Sequence, residues 1–257
     1  MILDLQVSPA VLDWSEIRDI ALAAESAGFG GFHVFDHLAG LSLGGSSMLE
    51  CFSLLGALAV STETIELGTM VVNVWNRQVG TLVTAAASVT ALSGRQFHLG
   101  IGAGASPTST WADEQHAARA YVEPCVAARH ERVRQVLDLA AETWRSDRDE
   151  RLSTFPLPSP APSIIIGANS TTLARLAGER ADGINLQWNR PRRDEYLAAA
   201  DQAAGDRHFV RTAYHVYDRA LLDPEHPTRR EMAARRIDRL VLAEFTGSPD
   251  LPSRPPR

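Results

Sequence analysis

Residues 65–104, IELGTMVVNVWNRQVGTLVTAAASVTALSGRQFHLGIGAG, hold one complete strand–helix–strand unit and decide how the rest of the chain is read. Ile65 to Val72 is an apolar run rich in β-branched residues, which suits a strand buried on both faces. Gly80 to Leu92 has helical periodicity, Ser93-Gly94-Arg95 makes a turn, and Phe97 to Gly102 returns to the strand pattern. Strands that alternate with helices in this way form βαβ units and a parallel sheet.

The same rhythm runs outward in both directions. Upstream, Ile2 to Val7 is the first strand and Ser15 to Ala27 its helix, with Ser15 as the cap and Gly28 as the stop. Gly31 to Phe35 is the second strand, followed by a helix from Met48 to Ser61. Downstream the pattern loosens from Gly104 to Ala127, a connection long enough to fold over an active site, before a periodic helix from Ala128 to Arg145. Residues 152–163 carry several prolines and read as an ordered loop. Ile164 to Ile166, Ile184 to Gln187, His208 to Tyr217 and Leu240 to Phe245 supply strands five to eight. Their helices run from Ser170 to Arg180, Arg193 to Ala204 and Thr228 to Arg236. The prediction is a single (β/α)8 barrel over residues 1–257, shortened at the C-terminus because the Gly/Ser/Pro-rich tail leaves no room for an eighth outer helix.

The totals agree. A length of 257 residues matches the roughly 250 that one such barrel needs. With 45% apolar and 22% charged residues the chain can bury a sizeable core. A net charge of −6 argues against a nucleic-acid surface and for small-molecule partners. All 25 basic residues are arginine, so every lysine Schiff-base mechanism is excluded. Cys51 and Cys125 lack metal-ligand or dithiol spacing, and no metal is expected. The amino-terminal residues lack the pattern of a signal peptide and no apolar stretch is long enough to span a membrane, so a cytoplasmic location is expected.

Reacting groups in such barrels lie at the carboxyl ends of the strands. Three segments qualify. Phe35-Asp36-His37 ends strand two, where His37 can exchange a proton near neutral pH and Asp36 can fix its tautomer; the alternative is that Asp36 caps the loop and His37 packs. Gly100-Ile101-Gly102-Ala103-Gly104 ends strand four, where missing side chains admit a flat ring or a phosphate, or simply permit the turn. Gly167 to Thr172 ends strand five and opens a helix, where amides and hydroxyls can cradle a phosphate or only cap the helix.

Taken together, Ile65 to Thr84 with Ala91 to Gly104, and Ile164 to Asn185 (IIIGANSTTLARLAGERADGIN), resemble the core and phosphate segments of the luciferase-like flavin-dependent oxidoreductases. That family consists of (β/α)8 barrels. The Asp36-His37 pair is more similar to its deazaflavin-dependent branch, which implies coenzyme F-420, with FMN the alternative cofactor. The resemblance implies a hydride-transferring oxidoreductase acting on a small organic substrate, with His37 as acid/base and Asp36 as its support. It further implies a non-proline cis peptide at Met70-Val71, a bulge that with Val72 backs the ring beside Gly102, Ala103 and Gly104. The cofactor's phosphate tail would lie against Asn169, Ser170, Thr171 and Thr172, near Arg190; Asn73 and Trp75 would face the substrate. Sugar-phosphate dehydrogenase members carry a glutamate near Ala105 and a tryptophan near Leu41, so this chain is expected to lack their second acid and not to share their substrate. Family members pair through barrel helices, which implies a homodimer through Met48 to Ser61 and Gly80 to Leu92. The rival readings are an FMN-dependent monooxygenase, in which His37 serves a peroxyflavin, and a non-catalytic degenerate barrel acting as a partner or binding subunit.

Overall fold

The computed structural model describes residues 1–252, and its eight strands close in sequence order into one parallel barrel. The strands are β1 Ile2–Val7, β2 Gly31–Val34, β3 Glu66–Asn73, β4 Phe97–Gly102, β5 Ser163–Gly167, β6 Gly183–Gln187, β7 Val210–Val216 and β8 Arg239–Glu244. β8 pairs with β1 along six successive positions, from Ile2 opposite Arg239 to Val7 opposite Glu244, which shuts the barrel. The helices are α1 Trp14–Ser26, α2 Cys51–Ser61, α3 Val79–Ser93, α4 Asp113–Ala117, α5 Val126–Thr143, α6 Thr171–Arg180, α7 Arg193–Ala204 and α8 Pro227–Ala234. Among the described residues none follows β8, and no helix is long and apolar enough to cross a membrane.

Local chemistry moves several expected ends by a few residues. α1 is capped by Asp13, not Ser15: Asp13 accepts the Glu16 amide at 2.9 Å while the Glu16 carboxylate accepts the Asp13 amide at 2.7 Å, a reciprocal box that satisfies two free donors. Ser15 is left to donate to the Asp13 carboxylate. Gly28 stops the helix as expected, at a φ of +78° that disfavours a side chain. α2 begins at Cys51, not Met48, because the Glu50 side chain accepts the Ser53 amide and makes Glu50 the cap. The proline-rich stretch is an ordered loop; Arg148 donates to the carbonyls of Thr143, Ser153, Phe155 and Pro156 and so pins it to the end of α5.

Outward-facing strand residues such as Leu5, Phe32, Leu67, Leu99 and Ile166 are fully buried against the helices. Each such side chain contributes roughly 1.5–3 kcal/mol. Inside the barrel, Met70, Ile165 and Val241 form a small apolar plug with Val71 and Tyr214. Below it, toward the amino ends of the strands, the interior is charged. Arg239 of β8 grips Asp4 of β1 at 2.7 and 2.8 Å and also reaches Glu66 of β3, which meets His98 of β4; His33 of β2 lies 3.3 Å from Asp4. Barrels of this kind more often fill these layers with branched apolar residues.

The charged floor makes stability depend on pH. Burial holds His33 below the ordinary imidazole range, so the folded state keeps it neutral. Burial opposes the charge of Asp4, but its bonds to His33 and Arg239 outweigh that and hold it well below the carboxylate range. Both shifts are downward, so both contributions are complete at neutral pH and are lost on acidification. Below about pH 6.5 the unfolded chain binds a proton that folded His33 refuses, and the carboxylates follow below about pH 4. The urea midpoint should therefore fall between pH 7.5 and 5.5, and His33→Gln should flatten that fall. An unchanged slope in the variant would contradict the assignment.

Candidate active site

The carboxyl ends of the strands open into a cavity of about 1000 Å³. His37, just beyond β2, stands on its wall with 19% of its side chain exposed. The expected support from Asp36 is not what the structure shows. The Asp36 carboxylate is buried and takes both terminal nitrogens of Arg77 at 2.8 and 2.9 Å, together with the Asn73 amide and the Asn76 side chain. A guanidinium fork matches a carboxylate in two places, so it outcompetes a single imidazole nitrogen. Asp36 thus ties the end of β2 to the loop after β3, and Arg77 binds Glu50 as well.

The group that holds His37 is Glu114, on the short α4. Its Oε1 lies 3.0 Å from His37 Nδ1, while Oε2 accepts the amides of Leu38 and Ala39 at 2.8 and 3.1 Å. Burial disfavours its charge, but the bond to His37 and these two amides more than offset that and hold Glu114 below its ordinary range. An ionised Glu114 accepts from Nδ1–H, which leaves the Nε2 of neutral His37 as a lone pair free to take a proton. No glutamate stands beside Ala105, as expected; the carboxylate that meets His37 comes instead from α4. The connection after β4 folds over the site as expected, bringing Trp111 to 5.4 Å from the His37 ring. Glu114→Gln should turn an acceptor into a donor toward Nδ1 and reverse the tautomer, lowering turnover by about 10²-fold. Nitrogen NMR of His37 reads the tautomer directly, and an unaltered spectrum would refute the role given to Glu114.

β3 slips register between Thr69 and Val72, and the Met70–Val71 peptide is cis at the expected place. Gln6 donates to the Met70 carbonyl at 2.5 Å, and Met70, Val71 and Val72 line the cavity. The glycines of β4 owe their smallness first to this bulge. A Cβ on Gly100 would meet the Thr69 carbonyl oxygen at 2.1 Å, and one on Gly102 would meet the Val71 side chain at 2.8 Å. Gly102, Ala103 and Gly104 still border the cavity.

Asn169 and Ser170 reach the cavity, but Thr171 and Thr172 lie outside its lining. Ser170 caps α6 by accepting the Leu173 amide, which commits the two threonines to the first helical turn. Asn73 lines the cavity; Trp75 does not and packs against Tyr121 and under Arg132. Arg190 lines the cavity, with one nitrogen on Gln187 and no carboxylate partner among the described residues. Arg129, which no sequence pattern had singled out, joins it from α5: it donates to the Gly104 carbonyl at 3.3 Å, and its buried Nε has no partner among the described residues. Arg129 lies in a helix of ordinary surface composition, so no sequence pattern marks it.

The barrel's mouth thus brings together a bulged β3, a histidine and two arginines without carboxylate partners among the described residues. The model of the luciferase-like monooxygenase family matches residues 3–243, and the chain belongs to that family. An F420-dependent glucose-6-phosphate dehydrogenase of Nakamurella multipartita is 28% identical over 184 residues, covering 66% of this chain and 51% of that protein. This chain therefore spans about half the length of that relative. Among solved structures, an F420-dependent secondary alcohol dehydrogenase in complex with an F420–acetone adduct superposes with a TM-score of 0.74 at 14% identity, over 97% of this chain and 94% of the other. A coenzyme F420-dependent tetrahydromethanopterin reductase from Methanopyrus kandleri gives 0.63 at 17% identity, over 84% and 65%. A monooxygenase from Streptomyces bottropensis gives 0.67 at 17% identity, over 91% and 77%. At these identities the likeness is one of fold.

Proposed function

We propose that the protein is an oxidoreductase that moves a hydride between coenzyme F-420 and a small organic substrate. The observation that carries this reading is that the His37–Glu114 pair shares one cavity with the β3 bulge and with two arginines that have no acidic partner among the described residues. The residues fit such a group. Met70 and Val71 offer an apolar backing for a flat ring; Asn185 presents at the cavity wall a buried Oδ1 with no partner among the described residues. Arg129 and Arg190, with Asn169 and Ser170, suit an anionic tail. When bound, the deazaflavin supplies a ring carbon that gives or accepts hydride. His37 Nε2 takes the substrate's hydroxyl proton in one direction and returns it in the other, while Glu114 holds the ring and balances the imidazolium. The relatives named F420-dependent support this choice of cofactor over FMN.

Turnover tests the reading. Substrate-dependent loss of the oxidised deazaflavin's absorbance without oxygen is the expected result; a strict need for reduced FMN and O2, with oxygen from O2 in the product, would replace it with the monooxygenase reading. We propose in addition that two copies pair through α2 and α3. Neither helix carries a charged residue, and Val60 and Leu92 stand 69% and 57% exposed on their outer face. Light scattering should give a dimer and Val60→Glu a monomer; a monomeric wild type would refute the pairing.

A further inference from the structure

The helix that brings Glu114 to His37 has no apolar grip on the barrel. Of the five residues of α4 only Glu114 and Gln115 are buried, and both are polar; its one apolar residue, Ala117, is exposed. Among the described residues, these two also make all the side-chain hydrogen bonds that join residues 105–120 to the rest of the barrel. Glu114 reaches His37 and the amides after β2, and Gln115 reaches the loop after β3. Gln115 Nε2 donates to Asn76 Oδ1 at 3.1 Å and to Glu114 Oε1 at 3.0 Å. The seat of α4 is thus set by a few polar atoms.

Charge fixes the direction of these bonds. The Asp36 carboxylate only accepts, and it takes the Asn76 Nδ2 hydrogen at 3.2 Å. That turns Asn76 Oδ1 toward Gln115, where only a donor fits, and Gln115 presents Nε2. The other Nε2 hydrogen goes to Glu114, which is held ionised and also only accepts. With the Gln115 amide turned over, its oxygen would stand against the Glu114 carboxylate and the Asn76 oxygen at once. Two carboxylates therefore bracket two amides in one orientation. A chain of hydrogen bonds runs from Asp36, anchored by Arg77, through Asn76, Gln115 and Glu114 to His37. The two oxygens of Glu114 receive four donors in all: His37, Gln115 and the amides of Leu38 and Ala39.

We infer that Gln115, oriented by Asn76 and Asp36, is a positioning residue: it seats Glu114 against Nδ1 of His37 and so readies the imidazole for proton transfer without touching it. The role in turnover rests on the proposed function, in which His37 handles the proton; the seating itself does not. When α4 lifts from the barrel, Glu114 leaves with it, and neutral His37 loses the acceptor that keeps its proton on Nδ1. The seating of α4 and the readiness of the histidine are one equilibrium, and Gln115 biases it through its two donated bonds.

Amide hydrogen exchange of the cofactor-free protein, followed by NMR, reads the seat directly, because Glu114 holds the Leu38 and Ala39 amides. Gln115→Met keeps the length of the side chain and removes its donors. It should speed exchange at Leu38 and Ala39 about tenfold, as the loss of two ordinary hydrogen bonds implies, while Leu99 in β4 stays protected. The ring nitrogens of His37 should shift toward the Nε2–H form in the same variant. Gln115→Lys, which restores a donor on a stem of similar length, should recover the slow exchange. Asn76→Leu should behave as Gln115→Met does, and it decides the matter if that variant does not fold. In a Glu114→Gln background, Gln115→Met should change the His37 spectrum no further. Unaltered exchange and an unaltered His37 spectrum in Gln115→Met would overturn the inference. Loosening that spreads equally to Leu99 would overturn it too, as would a Gln115→Lys protein as loose as Gln115→Met. Titration with coenzyme F-420 is read apart: a failure to bind would overturn the proposed cofactor and leave the seating of Glu114 standing.

Discussion

His37→Ala is expected to lower kcat/KM by about 10²–10⁴-fold while leaving coenzyme affinity nearly unchanged. The size of the loss follows from the place of the ring. Its Nδ1 is bound by Glu114 and its side chain is one-fifth exposed to the cavity, so removing it deletes a proton-transfer group without opening the core. On the proposed function Glu114 and His37 act as one unit, and such units lose little more when both members are removed than when one is. The double variant His37→Ala/Glu114→Gln should therefore be scarcely slower than His37→Ala alone. Independent, multiplicative losses would show that Glu114 touches the reaction by another route. Stopped-flow measurement of the hydride step, with coenzyme titrations on each variant, distinguishes these outcomes.

The second large effect lies at the opposite end of the barrel. Arg239→Met should destabilise the fold by about 3–5 kcal/mol, because Asp4 is wholly buried and would be left without its guanidinium. The loss comes from the orphaned charge more than from the pair itself. Asp4→Leu combined with Arg239→Met should accordingly recover most of the stability, since replacing a buried pair with apolar groups of similar volume is often neutral or better. Urea unfolding of the three proteins measures this directly. A single variant within about 1 kcal/mol of wild type would mean that Asp4 takes up a proton or admits water when unpaired.

The barrel was legible in the sequence for a physical reason. Strands buried on both faces are short apolar runs, and the residues that stop helices, such as Gly28 and Gly94, adopt positive φ values that other residues avoid. The Phe97–Gly102 strand and the Arg193–Ala204 helix fall where the pattern placed them. His37 was legible because it follows a strand at the barrel's carboxyl end. Its partner was not: Glu114 sits 77 residues away on a five-residue helix too short for any period to mark. The proximity of Asp36 in sequence suggested the wrong support, since successive residues leaving a strand point in different directions and Arg77 offered a better-matched partner. The charged floor joins residues 235 positions apart, so no local pattern could pair Asp4 with Arg239.

The claim on which the functional account turns is that the cavity takes a deazaflavin, and a fluorescence titration of the purified protein with coenzyme F-420 and, separately, with FMN tests it most directly. Saturable binding of coenzyme F-420 at micromolar concentration, weakened by Arg129→Ala and by Arg190→Ala, is the predicted result. Preferential binding of FMN, or binding of neither, would contradict it.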